Sequence, residues 1–280
     1  MAEGRRPRKV TRGEVLRTER LTPHMIRVVL GGEGLRDFTA GEFTDHYVKL
    51  LFPPAGVTYP RPFDLEAIQR DLPREQWPTT RTYTVRAWDP EAVELTLDFV
   101  HHGDSGLAGP WAARVQPGEE IFFFGPGGAY APSPEADWHL LAGDESALPA
   151  IAASLERLPS GAPAHVFVEV AGPEEEQPLG SSGDVKLVWL HRGDAPIGEA
   201  LVAAVRELDF PGGTPHVFVH GEANFVKALR RHLRAERDIP LSQMSISGYW
   251  RLGRDEDGWQ STKREWNQQV EDEEAAILSP

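Results

Sequence analysis

Gly125-Pro126-Gly127-Gly128-Ala129-Tyr130-Ala131-Pro132-Ser133-Pro134 carries three glycines and three prolines in ten residues, and the hydrophobic pattern differs on its two sides. Before it, short runs of branched and aromatic residues follow one another at 10–18, 25–30, 45–52, 81–88, 93–100 and 120–124, with turn residues between them. Short strands in series with little helical periodicity predict a small antiparallel barrel rather than a parallel sheet. The stretch 56–78, with Pro60, Pro62, Pro73 and Pro78, reads as irregular. After the Gly/Pro stretch, strand-like segments at 138–142, 164–170, 185–190 and 216–220 alternate with helix-like ones at 147–158, 195–208 and 223–236. That alternation predicts a doubly wound α/β domain on a parallel sheet. Residues 244–248 resemble a last strand, and Trp259, Trp266 and Val270 lie at nearly helical spacing within 258–274. The expected division is a barrel over 1–132, an α/β domain over 133–247 and a tail with a helix over 248–280.

At 280 residues the chain is long enough for two modest cores. Hydrophobic content of 40% and charged content of 26% are ordinary for a soluble globular protein. No apolar run approaches the roughly 20 residues that span a bilayer. The basic start lacks the apolar core of a secretory signal. A cytoplasmic protein without membrane insertion is expected. Cysteine is absent, which excludes disulfides, a cysteine nucleophile, thiolate zinc sites and a thiolate-held iron–sulfur cluster. Redox chemistry here therefore needs a bound organic cofactor, a non-thiolate metal site or an outside donor. The net charge of −14 argues against nonspecific nucleic-acid binding. The acidic runs 174–176 and 271–274, and the basic cluster Arg5, Arg6, Arg8 and Lys9, read as solvated loops, helix ends or tails.

Three constellations bear on chemistry. In Arg81-Thr82-Tyr83-Thr84-Val85-Arg86, alternate side chains share a face of the strand. The segment offers an aromatic surface, hydroxyls and cations together, which a flavin requires; a surface strand with solubilising arginines is the plainer reading. From Asp98 to Trp111 the chain runs from a strand through Gly103, Gly106 and Gly109 toward a helix, a place where backbone amides can meet a pyrophosphate. His101 and His102 are neighbours on a strand end and point opposite ways, so no metal site is expected. Gly143-Asp144-Glu145-Ser146 joins a strand end to a helix start, where open α/β sheets bind nucleotides. It lacks the Gly-x-Gly-x-x-Gly pattern. A transient nicotinamide-nucleotide site and a well-capped helix without ligand both fit it.

Taken in order, these segments resemble the siderophore-interacting protein family, flavin-dependent ferric-siderophore reductases related to ferredoxin–NADP reductase-like enzymes. The resemblance covers nearly the whole chain. It rests on Arg81-x-Tyr83-Thr84-x-Arg86, His102-Gly103-Asp104-x-Gly106 with Trp111, and Gly143-Asp144-Glu145-Ser146-Ala147-Leu148-Pro149. His220-Gly221-Glu222 and Ser247-Gly248-Tyr249-Trp250-Arg251-x-Gly253 complete it. The last of these is the most specific to the family.

The resemblance implies an FAD-binding barrel followed by an NAD(P)H-binding α/β domain, and reduction of chelated Fe(III) to Fe(II). No catalytic side chain is implied, because the flavin carries the electrons. FAD contacts are implied for Arg81, Thr82, Tyr83, Thr84, Asp98, Val100, His102, Gly106, Leu107, Ala108, Trp111 and Ser146. Nicotinamide-nucleotide contacts are implied for Gly143, Asp144, Glu145, Ser146, Glu169, His220, Gly221 and Glu222. Lys49, Arg251 and Arg254 are implied to meet a ferric siderophore, with Tyr249 and Trp250 covering the flavin. The donor is NADPH or NADH, with ferredoxin as another source of electrons, and a monomer is expected. Nothing at Glu169-Val170-Ala171 is a clear cation for a 2′-phosphate, although Arg192 or Lys227 could approach one, and the helix at 258–274 is a candidate cover for the flavin or the nicotinamide. Two positions depart from the family: Gly127 stands where an arginine is common, and Ser146 where a threonine is. Gly127 bears on the preference for anionic catecholates. A general flavin or ferredoxin-linked reductase, and a siderophore-binding module without turnover, are the alternatives.

Overall fold

Side chains alternate between buried and exposed from Thr11 to Val15, so one face of strand β1 (Thr11–Thr22) enters a core while the other stays wet. The computed structural model describes residues 9–278; Arg5, Arg6 and Arg8 of the basic cluster lie outside them. The first half continues with β2 (Met25–Gly31), β3 (Tyr47–Phe52), helix α1 (Leu65–Asp71), β4 (Thr79–Asp89), β5 (Glu94–Val100), helix α2 (Ala108–Ala112) and β6 (Glu120–Gly127). The six strands close into an antiparallel barrel in the order β1-β2-β5-β4-β3-β6. Closure is made by β1 on β6, from Thr11 opposite Phe123 to Glu14 opposite Glu120, and leaves no edge strand. Val28, Leu30, Leu50, Leu95, Leu97, Phe99 and Phe123 fill the interior.

Two local features depart from the expected pattern. Part of 56–78 is helical: α1 is capped by Asp64, whose carboxylate accepts the Ala67 amide at 3.0 Å, and it buries Ile68. Seven residues among four prolines are too few to show a period. In β4, Val85 lies opposite Leu97 but Ala87 opposite Thr96, so Arg86 is the extra residue of a bulge. The inward face therefore skips: Val85 and Trp88, three apart, both pack on the barrel core.

The second half contains β7 (Trp138–Gly143), α3 (Leu148–Glu156), β8 (Pro163–Val170), β9 (Asp184–His191), α4 (Glu199–Glu207), β10 (Pro215–Glu222), α5 (Ala223–Arg231), β11 (Met244–Trp250) and α6 (Glu256–Leu278). Its sheet has the order β11-β10-β7-β8-β9, and every neighbouring pair is parallel. Strand order reverses between β7 and β10. All six residues of β7 are buried, as a central strand covered on both faces requires. The helix expected over 223–236 is α5 followed by a π-helical turn at His232–Glu236.

The chain separates into two compact units, one ending at Gly128 and the other running from Ala129, with Thr22–His24 and Glu42–Asp45 belonging to the second. Neither acidic run is wholly solvated. Glu175 is 2% exposed and accepts the Thr22 hydroxyl at 2.5 Å and the His24 amide at 3.2 Å. Glu274 on α6 accepts Arg230 Nε at 2.7 Å and Arg234 Nε at 2.5 Å. Together with Trp259, Trp266 and Val270, which cluster with Ala223, these contacts seat α6 on α5.

Gly161 and Gly198 both have left-handed φ, +72° and +81°, but a Cβ on Gly161 meets nothing within 4 Å while one on Gly198 stands 2.3 Å from Phe225 Cβ. Gly161→Ala is expected to lower stability by about 1 kcal/mol, from backbone strain alone. Gly198→Ala adds a steric clash with a core residue and is expected to lose about 3 kcal/mol or more. Urea unfolding of the two variants checks the difference.

Candidate functional site

The barrel gathers the first group of expected residues along β4, β5 and α2. On β4, Tyr83 turns inward and lays its ring on Phe99, with centroids 4.2 Å apart at 32°. Phe99 in turn meets Trp111 of α2 at 5.5 Å, so Tyr83, Phe99 and Trp111 form one aromatic cluster. Arg81 is buried and donates from Nη1 to the Thr80 carbonyl at 2.8 Å; Thr82 is exposed and Thr84 buried. Asp98 sits opposite Arg27 on β2 and accepts it through both oxygens, at 2.7 and 2.8 Å. Its carboxylate, 4% exposed, is thus held by a bidentate ion pair.

Past Val100, which ends β5, the chain loops outward. Gly103 and Gly106 have φ of +64° and +82°, and a Cβ on either would meet nothing within 4 Å. His102 and Leu107 are exposed beside them, while Ala108 is buried at the start of α2. Left-handed glycines with open space around them leave backbone free for a phosphate to approach. With the Thr82 hydroxyl and the aromatic cluster, the donor set fits a flavin dinucleotide.

Lys49 is half-buried on β3, opposite Thr82, and its strand lies between β4 and β6 rather than at an edge. Tyr47, two residues earlier on the same face, was not singled out in the sequence. It is 37% exposed, and a Cβ on Gly127 would stand 2.5 Å from its ring. The aromatic ring therefore occupies the space over the glycine. The alternation Tyr47, Lys49 was the available signal.

In the second unit the expected residues converge at the carboxyl ends of β7, β8 and β10, where the strand order reverses. Asp144 is fully buried after β7. Its Oδ1 accepts the Ser146 amide at 2.9 Å and the Ser146 hydroxyl at 2.5 Å; Oδ2 accepts the Glu222 amide at 2.9 Å and Trp250 Nε1 at 2.8 Å. Burial pushes its carboxyl up to about 6, against the pull of these hydrogen bonds. Gly143 and Gly221 are glycine because there is no room for more: a Cβ would stand 2.7 Å from the His220 carbonyl oxygen at the first and 2.7 Å from Asp144 Cγ at the second.

Glu222 caps α5, accepting Asn224 N at 2.6 Å and Phe225 N at 3.4 Å, and also accepts Asn224 Nδ2 at 3.0 Å and Leu252 N at 3.1 Å. Glu169 accepts the Gly198 amide at 2.8 Å and Arg192 at 3.2 Å, and Glu145 takes the other end of Arg192 at 3.0 Å. Arg192 is thereby engaged by two carboxylates, and Lys227 pairs with Glu273 at 2.7 Å. The amides that begin α3 are also committed. Ser146 N goes to Asp144 Oδ1, and Ala147 N and Leu148 N both go to the Asp144 carbonyl. This turn does not fit a pyrophosphate held on those amides.

His220 is buried, stacked on Phe218 at 4.1 Å and against Tyr249 at 4.8 Å. Its Nε2 pairs with the Ser245 hydroxyl at 2.9 Å, and its Nδ1 is buried without a partner. Arg251 is half-buried, and Arg254 is exposed in a turn that returns its amide to the Arg251 carbonyl at 3.1 Å. Among the described residues no three histidine, aspartate or glutamate side chains group to hold a metal, and no helix is long and apolar enough to cross a membrane.

A closed antiparallel barrel followed by a parallel sheet of this order is a fold shared with the ferredoxin reductase in carbazole 1,9a-dioxygenase, which superposes with a TM-score of 0.61 at 17% identity over 87% of this chain and 70% of that one. By sequence the chain belongs to the siderophore-interacting protein family. Residues 14–130 match the siderophore-interacting FAD-binding domain, and residues 136–253 match the siderophore-interacting protein domain. A Mycobacterium tuberculosis protein is 48% identical over 266 residues, covering 90% of this chain and 94% of its own. Ferric vibriobactin reductase ViuB of Vibrio cholerae is 33% identical, over 88% of this chain and 91% of that protein. The NADPH-dependent ferric-chelate reductase of Escherichia coli is 31% identical, over 84% and 91%. The crystal structure of a siderophore utilization protein from T. fusca superposes with a TM-score of 0.77 at 37% identity, over 89% of this chain and 95% of that one.

Burial lowers the His220 imidazole from 6.5 to about 3, so the folded protein keeps it neutral while the unfolded chain protonates it. The stability this contributes is whole above pH 6.5 and is lost as the pH falls toward 3. Between pH 7 and pH 5 the loss through this residue is about 2 kcal/mol. His220→Gln is expected to lose that much less stability over the same interval, which paired urea titrations at pH 7 and pH 5 measure. An equal loss in both proteins would show that His220 does not titrate with unfolding.

Proposed function

We propose that this protein is an FAD-dependent ferric-siderophore reductase, converting chelated Fe(III) to Fe(II) so that the weakly held ferrous ion is released. The observation that carries the proposal is the open Gly103–Gly106 turn beside the Tyr83, Phe99 and Trp111 cluster, inside the segment matched by the FAD-binding domain. The ferric-chelate reductases among its relatives support the acceptor, and the Escherichia coli relative supports NADPH as donor.

Bound FAD supplies the exchange between a two-electron donor and one-electron reduction of ferric iron. The chain supplies place and field. Tyr83, Thr82 and Thr84 would hold the isoalloxazine side, with Arg81 a cation of the same strand. His102, Gly106, Leu107 and Ala108 would hold the phosphates, and Trp111 packs on Phe99 of the ring cluster. Lys49 in the first unit, and separately Arg251 and Arg254 in the second, are the cations that would attract an anionic chelate to a protein of net charge −14. Tyr47 adds a ring surface next to Lys49, which suits an aryl-bearing chelate at the position where Gly127 brings no cation. The reading extends to a cytoplasmic monomer, with ferredoxin as a second donor to be compared.

Purified protein is expected to be yellow and to release FAD on heating, and a ferric siderophore is expected to reoxidise the photoreduced enzyme anaerobically. Reoxidation no faster than in buffer would reject the acceptor. Stopped-flow reduction by NADH, NADPH and reduced ferredoxin in parallel identifies the donor. Lys49→Ala and Arg251→Ala are expected to weaken binding of anionic ferric chelates about threefold to tenfold each while sparing neutral ones, as loss of one partly solvated charge contact implies. Equal effects on both kinds of chelate would remove the steering argument.

A further inference from the structure

We infer that Asp144 and Glu222 are positioning residues that clamp residues 250–252 from both sides and so place Arg251, a role that rests on the proposed reading of Arg251 as a siderophore contact. Both carboxylates stand where the nucleotide crevice of an open α/β sheet lies, yet their acceptor positions are turned elsewhere. Each accepts four hydrogen bonds from the chain itself, about as many as a carboxylate can take. The turn that leads into α3 needs only Asp144 Oδ1, through Ser146. Oδ2 serves the Glu222 amide and the Trp250 indole. Capping α5 likewise needs only Glu222 Oε2, while Oε1 reaches Leu252 N.

The residue before Arg251 is thus held by its side chain and the residue after it by its backbone, each on a buried carboxylate. The two residues are themselves joined, because the Glu222 backbone amide donates to the Asp144 carboxylate. Gly221 is part of the same device. With φ of +139° and its would-be Cβ 2.7 Å from Asp144 Cγ, it lets β10 pass close enough for that bond. Arg251 follows directly on β11, whose register slips by one between Gly221 and Glu222, so that Trp250 rather than Tyr249 pairs with Glu222. Sheet pairing alone does not set the segment beyond that slip. The clamp does.

The test uses the FAD-loaded protein and the variants Asp144→Asn, Trp250→Phe, Glu222→Ala and Arg251→Ala. Trp250→Phe deletes the hydrogen bond to Asp144 and Asp144→Asn weakens it by removing the charge, so a folding defect in one variant leaves the other decisive. Amide hydrogen exchange over 251–254 is expected to accelerate about tenfold or more in Asp144→Asn and in Trp250→Phe, the effect of losing one charge-assisted hydrogen bond. Affinity for the ferric tris(2,3-dihydroxybenzoate) complex is expected to fall by the same factor in both, with no further fall when either is combined with Arg251→Ala. NADP+ affinity is expected to stay unchanged. Unaltered exchange in both variants would overturn the clamp, as would weaker NADP+ binding in Asp144→Asn with chelate affinity intact. If Arg251→Ala leaves chelate affinity unchanged, the substrate reading of Arg251 falls, and the exchange measurement still decides whether the carboxylates hold the segment.

Discussion

A carboxylate taken out of water must be met by donors, and the α/β unit is organised by three that are: Asp144, Glu169 and Glu222, all nearly or fully buried at the carboxyl ends of adjoining strands. Each gathers amides at or just before the start of a helix. Glu169 takes the Gly198 amide at the start of α4, Glu222 the first amides of α5, and Asp144 the turn into α3. The loops at this end of the sheet are thereby set by charge-assisted hydrogen bonds, which prescribe direction as well as contact. Apolar packing alone would leave them freer. Gly143, Gly198 and Gly221 are corollaries of the same constraint, since a Cβ at any of them would collide with a neighbour.

The barrel meets its ligand problem in the opposite way. Its closure leaves strands without edges, so the chain can leave β5 in an open glycine turn without exposing a pairing template. The turn after β5 has open space at Gly103 and Gly106, whereas the turn after β7 has its amides consumed by Asp144. An anion arriving from solution finds no vacant amide at Ser146, Ala147 or Leu148. The acidic residues of the second unit act instead on the protein's own chain.

Much of the architecture was legible in the residues. The Gly/Pro stretch 125–134 marked where the period changes, and the six barrel strands and five sheet strands each left a visible run of branched or aromatic side chains. Such signals are local: burying one face of a strand or helix dictates its period wherever it sits. Helix α1 escaped because seven residues between prolines carry too little period. The bulge at Arg86 escaped because one extra residue on one strand is defined only against its partner. In the second unit, the motif Gly143-Asp144-Glu145-Ser146 marked the end of β7 but not the direction of its side chains.

The amino-acid sequence by itself determined the two kinds of unit, the absence of thiol chemistry, and the family through an ordered set of motifs, because composition and near-neighbour spacing suffice for each. Only the tertiary structure decided which donors each charge meets. Asp98 meets Arg27 across a strand pair, Arg192 is held between Glu145 and Glu169, Tyr47 lies over Gly127, and Asp144 reaches Trp250, 106 residues away. Hydrogen bonds and ion pairs act over about 3 Å, so partners distant in sequence become visible only once the fold has brought them together.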